Sequence, residues 1–281
     1  MINFNGEILN DNSQISINNR GYNYGDAVFE TIKVVNGNIL FLEDHYFRLM
    51  ASMRILRMEI PMYFTMEFFK SEIDKLLQVL DFSNSARIKF TVHRKPGGLY
   101  LPKTNDVGFL ISAKTLETQE YILDTKTYKL DLYKDYYVSP SLLSTLKTNN
   151  KVLHVVGSIY ADENKLDNCF IINTNKSVIE ALNGNIFLVK DNIVKTPPIS
   201  DGCLKGIIRK QIIDILSSSD KYELIEMSIS PFELQKADEI FITNVVVGIK
   251  PVTNYRRKAY AYNVAKELIE SLNEKAKASY S

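Results

Sequence analysis

An Asn36-Gly37 dipeptide between two apolar runs, residues 29–35 and 38–42, commits the start of this chain to an antiparallel hairpin. Both residues tolerate the positive φ of a type I′ turn, whose twist matches that of the paired strands. Residues 87–94 supply a further strand by clean alternation. Ile88, Phe90 and Val92 point one way, and Arg87, Lys89, Thr91 and His93 point the other. On this pattern the second row, His93 included, is a solvated face. Between hairpin and strand, residues 44–58 read as a helix, with Leu49, Met53 and Leu56 on one face. Pro61 closes that segment. Thr65 is then the expected N-cap of a second helix, whose stripe is Phe69, Ile73, Leu76 and Leu80. A strand at 108–113 completes the unit.

Apolar periodicity lapses over 114–127, which places a domain boundary there. The expected division is a small N-terminal α+β domain, 1–117, and a larger C-terminal domain, 118–281; a chain of 281 residues suits two domains. The second part reads as an alternating strand at 128–132, a helix at 150–162, strands at 169–173 and 178–190, and a helix at 206–216. A strand at 239–247 and an amphipathic helix at 261–273 follow. There is no regular βαβ rhythm, so the fold class is α+β and not a doubly wound sheet.

Composition excludes several function classes. A net charge of +1 gives no electrostatic footprint for nucleic acid or an anionic membrane. No apolar run approaches the roughly 18 residues of a membrane span. The first residues, Met1 to Glu7, have neither a basic nor an apolar signal region, so no secretory leader is expected. Two cysteines, Cys169 and Cys203, make no disulfide framework, and the expected location is the cytoplasm. His45, His93 and His154 lack metal-ligand spacing, so no metal role is expected.

The residues that can carry chemistry lie in one ordered stretch. Lys147 sits among Ser144, Thr145, Thr148, Asn149 and Asn150, with Leu142, Leu143 and Leu146 near enough to desolvate an amine. Glu180 stands in an apolar strand, where a carboxylate needs a partner. Leu204-Lys-Gly-Ile-Ile-Arg209 opens a helix whose first N–H groups suit a phosphate. Lysine, carboxylate and helix start are the parts that hold a phosphorylated pyridine aldehyde. Lys205 competes with Lys147 as an imine-forming residue. Arg48 could reach a phosphate with its forked guanidinium, although Arg54 and Arg57 on the same helix carry equal charge.

In this order the signals resemble the fold-type IV pyridoxal-phosphate enzymes, or class IV aminotransferases. That family includes branched-chain and D-amino acid aminotransferases and aminodeoxychorismate lyases. The resemblance runs through Arg20-Gly-Tyr-Asn-Tyr-Gly-Asp-Ala-Val-Phe-Glu30, His45-x-x-Arg48-Leu49, Lys147-x-x-Asn150, Glu180-x-x-x-x-Asn185-x-Phe187, Leu204–Arg209 and Glu239-Ile-Phe-Ile-Thr-Asn244. It implies a two-domain fold, with a small α/β sandwich and a larger, mixed, β-barrel-like domain carrying the lysine. It implies pyridoxal 5'-phosphate as cofactor, joined to Lys147, which would also carry the proton to and from substrate. Glu180 would meet the pyridine nitrogen. Arg48, the N–H groups of Ile207 and Ile208, and Asn244 would hold the phosphate. Tyr24, Phe29 and Leu99 would line the substrate side. Sites in this family are commonly completed by a neighbouring subunit, so a homodimer acting on small amino and keto acids is expected.

Two departures stand out. The family usually has a hydroxyl at the position of Ile208, and many members have one at Val245. For the reaction, Thr243-Asn244 resembles the lyases, whereas Leu99 replaces an arginine that some lyases place after the double glycine. An aminotransferase is the favoured reading, the lyase that releases pyruvate and 4-aminobenzoate is the second, and an inactive binding protein of the same fold is the third.

Overall fold

The computed structural model describes residues 1–81 and 84–280. The chain forms two compact units. One comprises Met1–Gln119, Lys147–Asn150 and Ala276–Ser281, and the other Glu120–Leu146 and Lys151–Lys275. The architecture is mixed α+β, as the missing βαβ rhythm suggests.

The first unit contains β1 (Ile2–Phe4), β2 (Glu7–Leu9), α1 (Arg20–Tyr24), β3 (Ala27–Val35), β4 (Asn38–Ile39), α2 (Leu42–Ile55), α3 (Met66–Val79), β5 (Ser85–Arg94) and β6 (Val107–Thr115). Its sheet runs β2-β1-β6-β5-β3-β4 with every pairing antiparallel. Asn36 and Gly37 turn β3 into β4 with φ of 49° and 79°, the left-handed pair that a type I′ turn demands. Thr65 caps α3 by accepting from the Phe68 N–H. One sheet face, with Val28, Ile32, Val34, Ile88, Phe90 and Val92, packs on Leu49, Met53, Phe69, Ile73 and Leu76 of the two helices. Each such buried side chain stabilises the unit by about 1.5–3 kcal/mol.

The opposite row is not the solvated face that alternation alone suggests. His93 and Thr91 are buried, Lys33 is fully buried, and Arg87 and Lys89 are half-buried. His93 stacks on Phe4 at 6.1 Å and lies against Asn19, so contacts distant in sequence cover it. The tetrapeptide Lys147–Asn150, expected with the C-terminal domain, groups with this first unit. It runs beside β3, where the Phe29 N–H donates to Lys147 O (2.8 Å) and the Asn149 N–H to Ala27 O (3.0 Å).

The second unit contains β7 (Lys129–Val138), α4 (Val152–Glu163), β8 (Asn168–Asn173), β9 (Val178–Ala181), β10 (Gly184–Lys190), β11 (Ile193–Thr196), α5 (Ile207–Ser217) and β12 (Glu223–Glu226). It continues with α6 (Pro231–Lys236), β13 (Glu239–Asn244), β14 (Gly248–Pro251), β15 (Asn254–Tyr255) and β16 (Lys258–Ala259), and α7 (Asn263–Ala278) ends the chain. Ten strands form a branched sheet: β12-β11-β10-β9-β8-β7-β15-β16, with β13 also on β10 and β14 on β13. Parallel pairs (β7 with β8 and β15, β11 with β12) mix with antiparallel ones. The stretch 178–190 is two strands and not one. Leu182 and Asn183 form the turn, and Gly184 pairs back onto Ala181. An Asn183-Gly184 dipeptide lies at this turn, but neither residue takes the positive φ seen at Asn36-Gly37. The strand expected over 239–247 stops at Asn244. Glu239 caps α7, accepting from the N–H groups of Asn263 (2.7 Å) and Val264 (3.0 Å).

Candidate active site

In the first unit, Phe29 and Lys147 come together. The Lys147 Nζ lies 4.6 Å from the Phe29 ring centroid, and so does the Nζ of Lys89. Two lysine side chains thus meet on one ring. By register, Lys89 pairs with Thr31 and Ser112, and Arg87 with Lys33 and Lys114, so no carboxylate enters the row. Burial pushes Lys33 down to about 8. It also lowers Lys89, with the Arg87 charge acting in the same direction. Strand alternation shows Lys89, but not its nearness to Phe29 and Lys147, because nothing local reports that the lysine segment joins the edge of β3.

Tyr24 and Leu99 belong to a neighbouring cluster built on Arg20. The Arg20 guanidinium lies 4.8 Å from the Tyr24 ring centroid and donates to the carbonyls of Gly97 (3.2 Å) and Leu99 (2.6 Å). Tyr24 packs on Tyr100 at 5.8 Å. The Leu99 side chain itself is exposed.

Arg48, the candidate phosphate ligand of α2, is paired with Glu30. Its Nε donates to Glu30 Oε1 (2.8 Å) and its Nη2 to Glu30 Oε2. Neighbouring strand residues point to opposite faces, so Glu30 and Arg48 lie on the helix-covered side of the sheet, away from Phe29. His45 Nδ1 completes the group, 2.7 Å from Glu30. Burial pushes Glu30 up, yet the adjacent Arg48 charge and the hydrogen bonds from His45 and Arg48 outweigh it and hold Glu30 at about 2. Burial lowers His45, so its neutral ring donates to the carboxylate. A carboxyl whose pKa is depressed by folding stabilises above its ordinary value near 4.5, and loses that stabilisation as pH falls towards 2. The shift corresponds to roughly 3 kcal/mol. Glu30→Gln should therefore lower the urea midpoint at pH 7 and flatten the loss of stability between pH 4.5 and 2; an unchanged acid limb would contradict this pairing.

In the second unit, cross-strand register sets a row on one sheet face. Glu180 of β9 pairs with Asn185 of β10, and Asn185 with Thr243 of β13. The segment 204–206 lies over the row. The Leu204 N–H donates to Glu180 Oε2 (2.9 Å), and Asn185 Nδ2 donates to Leu204 O (2.7 Å). A Cβ at Gly206 would collide with Asn185 Oδ1, so only glycine lets the backbone come this close. Gly206 is the N-cap of α5 and gives it no side-chain cap. The first-turn N–H groups of Ile207 and Ile208 have no carbonyl four residues earlier within the helix to bond. Glu180 is buried, with His154 Nε2 3.7 Å from its Oε1. Burial lowers Lys151, and the Glu180 charge opposes that shift.

Asn244 was expected at a phosphate, but its side chain holds its own turn. Nδ2 donates to Asn183 O (3.1 Å), and Oδ1 accepts from the N–H groups of Val246 (3.0 Å) and Val247 (3.1 Å). The residue before it, Thr243, is buried, and its Oγ1 has no hydrogen-bond partner among the described residues.

The chain is 28% identical over 277 residues to a Methanocaldococcus jannaschii protein provisionally named a branched-chain-amino-acid aminotransferase, covering 97% of this chain and 94% of that protein. It is 25% identical to an aminodeoxychorismate lyase of Vibrio harveyi, covering 86% and 87% of the two chains. It is also 25% identical to a D-alanine aminotransferase of Bacillus licheniformis, covering 89% and 87%. The crystal structure of a branched-chain aminotransferase from Thermoproteus uzoniensis shares the fold, with a TM-score of 0.87 at 22% identity over 96% of this chain and 92% of that one. Residues 27–255 match the family model described as amino-transferase class IV, and the chain belongs to that family.

Proposed function

We propose that the protein is a pyridoxal 5'-phosphate-dependent aminotransferase, moving an amino group from a branched-chain or similar amino acid to a 2-oxo acid. The observation that carries this reading is Glu180: a buried carboxylate that accepts from the Leu204 N–H and pairs in register with Asn185, against which Gly206, the start of an uncapped helix, packs. That arrangement fits a phosphorylated pyridine. Adjacent strands lie about 4.8 Å apart, so the row from Glu180 to Thr243 spans roughly 10 Å.

Bound in this site, the cofactor supplies an electron sink that acidifies the substrate Cα–H. Glu180 would hold the ring nitrogen. The Ile207 and Ile208 N–H groups and the positive end of α5 would hold the phosphate. Lys147 would carry the Cα proton on its Nζ. Phe29 shields that amine from water. Lys89 and Arg87 draw the carboxylate of the incoming acid. Lys89→Met should raise KM for a dicarboxylic 2-oxo acid about tenfold, the effect of losing one charge-assisted hydrogen bond, and should change KM for a monocarboxylic one less. Equal KM values for both would contradict a charge role for Lys89. The functional unit in this reading is a homodimer, and sedimentation of an active monomer would contradict it.

The reaction is tested by supplying L- and D-amino acids with 2-oxoglutarate, and separately aminodeoxychorismate. Turnover of an amino donor without pyruvate release supports the aminotransferase. The Thr243-Asn244 pair favours the lyase as a second reading, and pyruvate from aminodeoxychorismate without amino transfer would establish that one instead.

A further inference from the structure

We propose that the Thr243 hydroxyl is a phosphate ligand, standing in for the side-chain hydroxyl absent at Ile208. This rests on the cofactor reading above and adds a residue to it. Thr243 is 2% exposed, and its Oγ1 has no partner among the described residues. A buried hydroxyl is seldom left so, because an unmade bond forfeits its solvation. Its direction follows from register. Thr243 lies directly across from Asn185 in an antiparallel pair, so both side chains share one sheet face, with Cβ atoms about 5 Å apart. The Asn185 side chain meets the backbone at Leu204 and Gly206, the entry to α5. Helix α5 in turn packs against β13. The unpartnered hydroxyl therefore belongs to the sheet face that carries Asn185, against which the start of an 11-residue helix with no side-chain cap packs. The Asn244 Oδ1 is engaged in the 244–247 turn and its Nδ2 donates to Asn183 O, whereas the Thr243 hydroxyl has no such engagement. A phosphate at the helix start is the acceptor that Thr243 lacks, and the hydroxyl donates to one of its oxygens.

The test is equilibrium binding to the apoprotein of two probes that differ only in the phosphate, pyridoxal 5'-phosphate and pyridoxal. Thr243→Val keeps the shape and removes the donor, and Thr243→Ser keeps the donor. The expected result is an increase of about tenfold in Kd for pyridoxal 5'-phosphate in Thr243→Val, from the loss of one hydrogen bond to a charged group. Pyridoxal affinity should stay unchanged, and Thr243→Ser should retain the parent affinity for both probes. A phosphorus NMR shift of the bound phosphate should move in Thr243→Val and not in Thr243→Ser. Equal pyridoxal 5'-phosphate affinity in parent and Thr243→Val overturns the role of Thr243 alone. Equal weakening of both probes overturns it as well, since that is a packing effect. A parent protein that does not prefer the phosphorylated probe overturns the phosphate cradle itself. If Thr243→Val does not fold, a Thr243→Ser protein whose phosphorus signal matches that of free cofactor overturns the assignment, and a shifted, immobilised signal supports it.

Discussion

Lys147→Ala is expected to abolish amino transfer, with a loss of at least about 10²–10⁴-fold from the missing proton carrier alone. Loss of covalent attachment adds to this. The expectation is specific, because other lysines are plausible rivals on electrostatic grounds. Burial pushes Lys33 down to about 8, and it also lowers Lys89 and Lys151. An amine with a depressed pKa is a better imine former. Lys147 differs by position: its segment is strapped to β3 by backbone hydrogen bonds at its own carbonyl and at the Asn149 N–H, and its amine lies against the Phe29 ring. Such fixation places the nitrogen repeatedly in one location, which proton transfer at a defined carbon requires. Steady-state turnover of the Lys147→Ala protein, beside Lys89→Met, makes the comparison. Substantial residual turnover in Lys147→Ala would contradict the assignment.

Glu180→Gln should lower kcat by about 10–100-fold, the range for losing a hydrogen bond to a charged partner, while KM changes less. A neutral amide cannot stabilise a protonated ring nitrogen as a carboxylate does. Its oxygen can still accept from the Leu204 N–H, so the loop over the row should stay in place. Thermal melting separates the two effects. Glu180→Gln should melt near the parent, whereas Glu180→Ala strands the Leu204 N–H and should melt lower. An unchanged kcat in Glu180→Gln would remove the ring-nitrogen role.

Local signals were legible where chemistry is short-range. The Asn36-Gly37 turn, the Thr65 cap and the apolar stripes of α2 and α3 depend on neighbours within a few residues. The motif around Lys147, Glu180 and Gly206 was legible through family resemblance, because its spacing is tied to the elements that carry it. What stayed hidden depends on register and long-range pairing. Asn185 reads as a polar strand residue until its pairing with both Glu180 and Thr243 is known. Nothing near Thr243 reveals that its hydroxyl lacks a partner, or that the amide of Asn244 is occupied by its own turn. The pairing of Arg48 with Glu30, 18 residues earlier, is likewise hidden in the sequence. The burial of His93 has the same origin: alternation gives its row, and Phe4 from another strand covers it. The β9–β10 turn lies inside an apolar run and uses Leu182 and Asn183, so periodicity alone does not mark it.

Borohydride reduction of the protein loaded with pyridoxal 5'-phosphate, followed by proteolysis and mass spectrometry, tests the central claim most directly. The account predicts one stoichiometric phosphopyridoxyl adduct, on the peptide containing Lys147. The absence of an adduct, or its appearance on Lys33, Lys89, Lys151 or Lys205 in place of Lys147, would contradict it.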